Sequence, residues 1–320
     1  MREAAFVKSY GKDWERFEEN LNDPKYTNPD ELADLFTKLT NDLAYAQTRY
    51  PDSQTSKYLN ALASKAHHAI YRNKKEKGRR FITFWRDELP LVLKESHKNL
   101  LYAFLIFTVA ASIGAFSAAH DDTFVRLILG DGYVNMTLNN IENGDPMAVY
   151  KSMRGSDMIA YITFNNIRVS FYAFIAGVIF SMGTGMLLFY NGVMLGSFQY
   201  FFFQKGLFLE SASAIWIHGT LEISAIIIAG GAGLTMGNSF LFPGTYSRLA
   251  SLKKGAKQGL KIVVGLVPIF IVAGFLEAFV TRLTEIHWGF KLSIILTSLL
   301  FIIYYFVIYP IRKSNDIGEG

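Results

Sequence analysis

The chain has 320 residues, a formal net charge of +5 and no cysteine, and 51% of its residues are hydrophobic. The absence of cysteine excludes a disulfide framework, a thiol nucleophile and a cysteine-based metal site. The basic residues form no stripe interleaved with aromatic residues, so nucleic-acid binding is not expected, and the positive charge instead indicates contact with membrane lipids.

Charged residues are unevenly distributed along the chain. Lys, Arg, Asp and Glu are concentrated in the N-terminal third, whereas long apolar runs dominate from Leu100 onward. This asymmetry predicts a soluble or peripheral N-terminal part followed by an integral membrane part. The first residues lack the apolar segment of a signal peptide, so we expect the first spanning helix to insert the chain.

Residues 1–98 are predicted to form a cytoplasmic helical domain. Apolar residues recur at helical spacing after a helix start at Asn28–Glu31, and again from Ser56 to Arg72. The aromatic, amphipathic segment Phe81–Leu93 is interrupted by Pro90. It is expected either to lie on the inner leaflet as an interfacial helix or to pack against the N-terminal helices.

Residues 99–320 are predicted to form a transmembrane domain, because several apolar runs approach the roughly 20 residues that cross a bilayer as a helix. The predicted spans, about six, are Leu100–Ala119, Val169–Tyr190, Gly192–Lys205, Trp216–Met236, Leu260–Thr281 and Leu292–Tyr309. Spans two and three belong to one apolar run, and the turn signal Asn191-Gly192 is taken to separate them. The predicted fold class is therefore an all-α polytopic transmembrane bundle.

The positions of Lys and Arg predict the orientation of these spans. Basic residues cluster before span one, between spans four and five, and after span six. The positive-inside rule places these three segments, and with them both termini, in the cytoplasm. The loop 120–165 is then external, and the expected location is the inner (cytoplasmic) membrane.

The fourth predicted span carries an ionisable pair. His218 and Glu222 are four residues apart in the apolar stretch Trp216–Met236, which places both side chains on one face of a helix. Ionisable groups in hydrocarbon are costly, so such a pair faces protein or water and marks a possible site.

Further polar residues are expected at a similar depth. With the predicted orientation, Asn165, Asn166 and Arg168 stand at the outer mouth of span two. Glu277 lies in the outer half of span five, and Arg282 follows it. Polar groups from three spans are therefore predicted to converge in the outer half of the membrane.

Three hypotheses explain such a polar cluster. In the first, the cluster is structural, and Arg168 pairs with Glu222 or Glu277 while His218 bridges them. In the second, the cluster lines a pathway for protons, ions or a small solute. In the third, His218 and Glu222 bind a divalent metal of a hydrolase, and Glu277 completes that site.

Small residues are frequent where the spans are expected to touch. They allow helix backbones to approach closely, either within one chain or in a homodimer, which is the expected oligomer. Two GxxxG pairs occur, Gly192 with Gly196 and Gly233 with Gly237, and Gly230 and Gly231 precede the second pair.

Several separated motifs resemble the stage II sporulation protein M family of integral membrane proteins. In chain order they are MREAAFVKSYGKDWERFE, LAYAQTRYP, YLNALASKAHHAIY, NNIR at residues 165–168, a GT…NG..LG pattern at residues 183–196, HGTLE at residues 218–222 and AGGAGL at residues 229–234. The resemblance covers nearly the whole chain. It gives weight to the residues at motif positions, namely Asn165, Asn166, Arg168, Asn191, His218 and Glu222.

The resemblance implies an all-helical polytopic membrane protein. In spore-forming organisms the namesake acts in engulfment as a membrane anchor for cell-wall hydrolases, so the first expectation is a scaffold or anchor with envelope protein partners. The soluble N-terminal region marks the longer, non-sporulation type. A transporter or channel is the second hypothesis and a metal-dependent intramembrane hydrolase the third, and no cofactor is expected.

Overall fold

The structure, a computed structural model, describes residues 1–22, 29–71, 79–148, 155–281, 283 and 287–318, and these are helical without any strand. The all-α class predicted from the sequence is confirmed. The chain divides into two compact units, Met1–Gly78 and Arg79–Gly320. Asn28 and most of the basic segment before span one lie outside the described residues.

The first unit contains three helices around one core. They are α1 (Glu3–Asn22), α2 (Pro29–Arg49) and α3 (Gln54–Tyr71). Phe17 of α1, Leu39 of α2 and Leu59 of α3 are fully buried against one another in this core. The unit thus has its own apolar interior.

One polar contact fixes α1 on α2 in the first unit. The indole Nε1 of Trp14 donates a hydrogen bond to Oδ2 of Asp42 at 2.8 Å. Partial burial raises the pKa of Asp42 above its ordinary value, and the hydrogen bond from Trp14 offsets part of that effect. The charged carboxylate therefore costs this unit some stability at neutral pH, although it satisfies the indole donor.

The second unit contains the membrane helices. In chain order its helices are α4 (Arg79–Thr83), α5 (Leu89–His120), α6 (Phe124–Leu129), α7 (Asp131–Glu142), α8 (Gly155–Ile175), α9 (Met182–Gln204), α10 (Phe208–Leu241), α11 (Arg248–Phe275), α12 (Trp288–Ile303) and α13 (Tyr309–Gly318). Within the described residues, five continuous helical stretches are long and apolar enough to cross a membrane: Arg80–His120, Met182–Gln204, Phe208–Leu241, Arg248–Thr281 and Trp288–Asp316. The more polar α8 has 21 residues and packs against α10 and α11.

The predicted boundary between spans two and three is wrong. Asn191 and Gly192 lie inside α9, and the helical break falls at residues 176–181, where Phe180 and Ser181 have φ values of 48° and 63°. Asn-Gly is a turn signal where water can solvate the backbone, but here Gly192 permits close packing instead. A Cβ on Gly192 would lie 2.6 Å from the carbonyl oxygen of Phe107 on α5.

The segment with Pro90 belongs to the second unit. Pro90 lies in the first turn of α5, where a missing N–H is tolerated. A π-helical stretch at Phe84–Glu88 comes just before it, and the helical stretch continues through both. Leu89 and Leu93 are fully buried in a core shared with later helices of the same unit.

Ion pairs join the start of the second unit to its later helices. Lys261 of α11 binds Glu88 at 2.9 Å, and Lys313 of α13 binds Asp87 at 2.7 Å. Gln258 donates to Glu95 at the same end. Residues 87–95 therefore contact the second and third basic segments at one end of the bundle.

Candidate functional site

The polar pair of the fourth predicted span is joined by one carboxylate from another helix. His218 and Glu222 on α10 and Glu277 after α11 each offer a ligand atom, and these atoms lie within 4.8 Å of one another. The His218 Nε2 atom is 3.8 Å from Oε2 of Glu277. With a rise of about 1.5 Å per residue, His218 and Glu222 lie about 15 and 21 Å from the start of α10, in the half nearer Phe208.

The backbone that carries Glu277 departs from the α-helix. Residues Leu276–Thr281 form a π-helical stretch that continues α11. Such stretches are found frequently at functional sites, because they shift a side chain out of its regular register. Here the stretch places Glu277 and Thr281 together beside α10.

Thr281 orients the imidazole ring and was not predicted from the sequence. Its Oγ1 lies 3.1 Å from Nδ1 of His218 and donates to the carbonyl oxygen of Leu276 at 3.3 Å. The spacing of four residues from Glu277 is the signal that could have identified it. The residues between Glu277 and Thr281 are apolar, so the sequence alone did not mark Thr281 as part of a polar site.

The asparagine pair of α8 lies beside Glu222, because Asn165, Asn166 and Glu222 line one cavity. Asn166 is buried, and its neighbour Asn165 accepts a hydrogen bond from Arg168 at 2.9 Å. Arg168 is exposed and binds Asn165 rather than pairing with Glu222 or Glu277. Arg282 lies outside the described residues.

A partly open cavity of about 250 Å³ adjoins Glu222 between the membrane helices. Its polar lining comes from Asn165, Asn166, Asn191 and Glu222, and its remaining lining is apolar. Asn191 reaches this cavity from within α9, where its Nδ2 also donates to the carbonyl oxygen of Leu187 at 2.8 Å. The cavity exceeds the roughly 10–15 Å³ that one water molecule needs.

The glycines that follow Glu222 provide the close packing that surrounds this site. A Cβ on Gly233 would lie 2.5 Å from the carbonyl oxygen of Ala173 on α8, and one on Gly231 would lie 2.5 Å from a methyl group of Leu100. Gly230 contacts Leu188 in the same way. The glycines of both GxxxG pairs therefore pack against atoms of the same chain.

Long apolar helices around a buried polar cluster define a multi-pass membrane protein. Residues 103–282, more than half of the chain, match the family described as Stage II sporulation protein M, and the chain belongs to that family. Residues 4–72 match the description Domain of unknown function (DUF8413). Comparison with curated proteins and with solved structures gives no significant match.

Proposed function

We propose that the second unit binds a small cation within the membrane and conducts it across, as a transporter or channel. The observation that carries this proposal is the carboxylate of Glu222 at the wall of a partly open cavity of about 250 Å³ between the membrane helices. Burying a carboxylate among apolar helices costs free energy unless the carboxylate is paired. Such residues are therefore rare, and they often mark a pathway for ions or protons. The asparagine amides beside it offer oxygen atoms of the kind that bind cations.

A helical irregularity at the cluster supports the same proposal. The π-helical stretch Leu276–Thr281 carries Glu277 and ends the long helical stretch Arg248–Thr281. The break at residues 176–181 lies elsewhere, because Ser181 hydrogen-bonds Leu234 and Asn238, far along α10 from Glu222. In many transporters, interrupted helices supply backbone groups and mobile elements around a site near the middle of the membrane. One irregular backbone element therefore lies within the cluster itself.

We expect the isolated protein to conduct a cation in a manner that depends on Glu222. Protein in liposomes is tested with dyes for H⁺, Na⁺, K⁺, Mn²⁺ and Zn²⁺. Glu222→Gln keeps the shape of the side chain but removes its charge, and it is expected to lower flux roughly tenfold or more. Glu142→Gln, at an exposed position on α7, is the matched control and is expected to leave flux unchanged.

A scaffold or anchor in an envelope complex is the second candidate. It is favoured by the first unit, which has its own buried core and is thus suited to present a partner surface. The liposome experiment separates the two candidates. Wild-type protein that is folded but passes none of the tested cations would exclude the transport proposal and leave the scaffold.

We also propose an inner-membrane location with both termini in the cytoplasm, supported by the basic residues gathered at one end of the bundle. The chain contains no cysteine, so single cysteines can be introduced without removing others. An impermeant maleimide added to spheroplasts is expected to label Glu142→Cys but not Thr245→Cys or Asn315→Cys. Inside-out vesicles are expected to give the opposite pattern, and labelling of all three positions from one side would refute this topology.

A further inference from the structure

Three side chains converge with the chemistry of a metal site. We infer that His218, Glu222 and Glu277 bind a divalent transition-metal cation, which rests on and deepens the proposed cation-binding function. Their ligand atoms lie within 4.8 Å of one another and come from α10 and the π-helical stretch after α11. The ligand set is that of the third hypothesis drawn from the sequence, here without the hydrolase, whereas the sequence-based expectation of no cofactor is set aside.

The spacing of the ligand atoms is close to that of an occupied site. Two ligands bound tetrahedrally at 2.0–2.1 Å from one ion are about 3.3 Å apart. His218 Nε2 and Glu277 Oε2 are 3.8 Å apart, so this pair must close by about 0.5 Å, and the other pairs, all within 4.8 Å, must close by up to about 1.5 Å through side-chain rotation. His218 and Glu222, one turn apart on α10, need no change of backbone to share an ion.

The hydrogen bonds around His218 assign its tautomer. The single hydroxyl proton of Thr281 is donated to the carbonyl oxygen of Leu276, so this hydroxyl accepts from Nδ1 of His218. Nδ1 therefore carries the ring proton, and Nε2 presents its lone pair on the side of Glu277. Metal-binding histidines have this arrangement, in which an outer hydrogen bond to one nitrogen orients the other toward the ion.

Charge balance favours a divalent ion over a monovalent one. With both carboxylates ionised, the three ligands carry two negative charges in an apolar surrounding. Of the residues that the structure describes, Arg168 was expected to compensate them, but it is exposed and bound to Asn165. A divalent cation makes the group neutral and so lowers the cost of burying it.

The ligand types and the cavity narrow the chemical class of the ion. One imidazole nitrogen and two carboxylates suit Zn²⁺, Mn²⁺ or Fe²⁺ better than a soft ion such as Cu⁺. Glu222 both belongs to the ligand set and lines the cavity, which gives room for water as a further ligand. The site therefore has three protein ligands and access for exchange.

Metal binding by the purified full-length protein tests this inference. The protein is prepared without a polyhistidine tag, dialysed against chelator, titrated with Zn²⁺ or Mn²⁺, and analysed by mass spectrometry for bound metal. We expect about one ion per chain. His218→Ala and Glu277→Gln are expected to abolish binding, whereas His120→Ala, at an exposed position on α5, is expected to leave it intact.

A milder variant distinguishes a metal site from a purely structural cluster. Thr281→Val removes the hydrogen bond that orients His218 and is expected to weaken affinity by roughly 10–100-fold, because loss of a hydrogen bond to a metal-binding histidine has an effect of that size. Zn²⁺ is also expected to raise the thermal midpoint of the wild-type protein and not that of Glu277→Gln. A folded wild-type protein that binds neither ion and shows no such shift would overturn the inference.

The outcomes for metal binding and for transport are separable. Stoichiometric metal without cation flux would refute transport and retain the metal site. Flux that depends on Glu222 in a protein that binds neither metal would refute the metal site and retain transport.

Discussion

Replacement of Gly196 by alanine is expected to prevent α5 and α9 from packing together. A Cβ at this position would collide with the carbonyl oxygen of Ala111 and would lie 2.7 Å from the Ala111 carbonyl carbon and 2.9 Å from the Ala115 nitrogen. All three are backbone atoms, so no side-chain rotation relieves the overlap. The two helices must separate. We expect the free energy of unfolding to fall by about 3 kcal/mol or more, which is at or beyond the upper end of the effects of overpacking a core.

The same helix offers a matched control for this change. Gly185 also lies in α9, but a Cβ there would have nothing within 4 Å. Gly185→Ala is expected to be neutral or slightly stabilising, because alanine favours helix over glycine. Thermal unfolding and the yield of monodisperse protein in detergent measure both variants, and equal stability of the two would refute the proposed packing contact.

Phe17→Ala is expected to unfold much of the first unit. Phe17 is 1% exposed at the centre of that core. Removal of such a ring costs about 3–5 kcal/mol, which is a large share of the 5–15 kcal/mol that stabilises a typical domain. Hydrogen exchange followed by mass spectrometry is expected to show lost protection across α1, α2 and α3.

The control for this experiment is Val7→Ala on the same helix. Val7 is 40% exposed, so its truncation is expected to change protection little. Peptides from α9 and α10 serve as an internal reference for the second unit in each sample. Unchanged protection of α1–α3 in Phe17→Ala would show that this side chain does not hold the first unit together.

The sequence predicted which residues lie in the polar cluster better than it predicted which of them pair with one another. The spacing of His218 and Glu222 placed them on one helical face, and the argument from depth selected Glu277. Arg168 was expected to pair with a carboxylate, but electrostatic complementarity cannot show which side of α8 a residue faces. Its guanidinium instead reaches the adjacent Asn165 on the exposed surface.

The membrane helices were predictable from apolar length, but one break was not. Asn191-Gly192 is the stronger local turn signal, whereas the true break at Phe180-Ser181 contains neither proline nor Asn-Gly. Helix packing decides between the two positions, since Gly192 faces the backbone of Phe107 and Gly177 faces that of Gly233. Such tertiary contacts are not encoded in a local pattern.

The ion pairs at the basic end of the bundle have a consequence for biosynthesis. Asp87 and Glu88 lie near the start of the first long membrane stretch, but their lysine partners are Lys313 and Lys261. Both lysines are synthesised much later than the carboxylates, so the two ion pairs form only after α11 and α13 have been translated. A chain truncated before α13 lacks Lys313 and therefore leaves Asp87 without this ion pair.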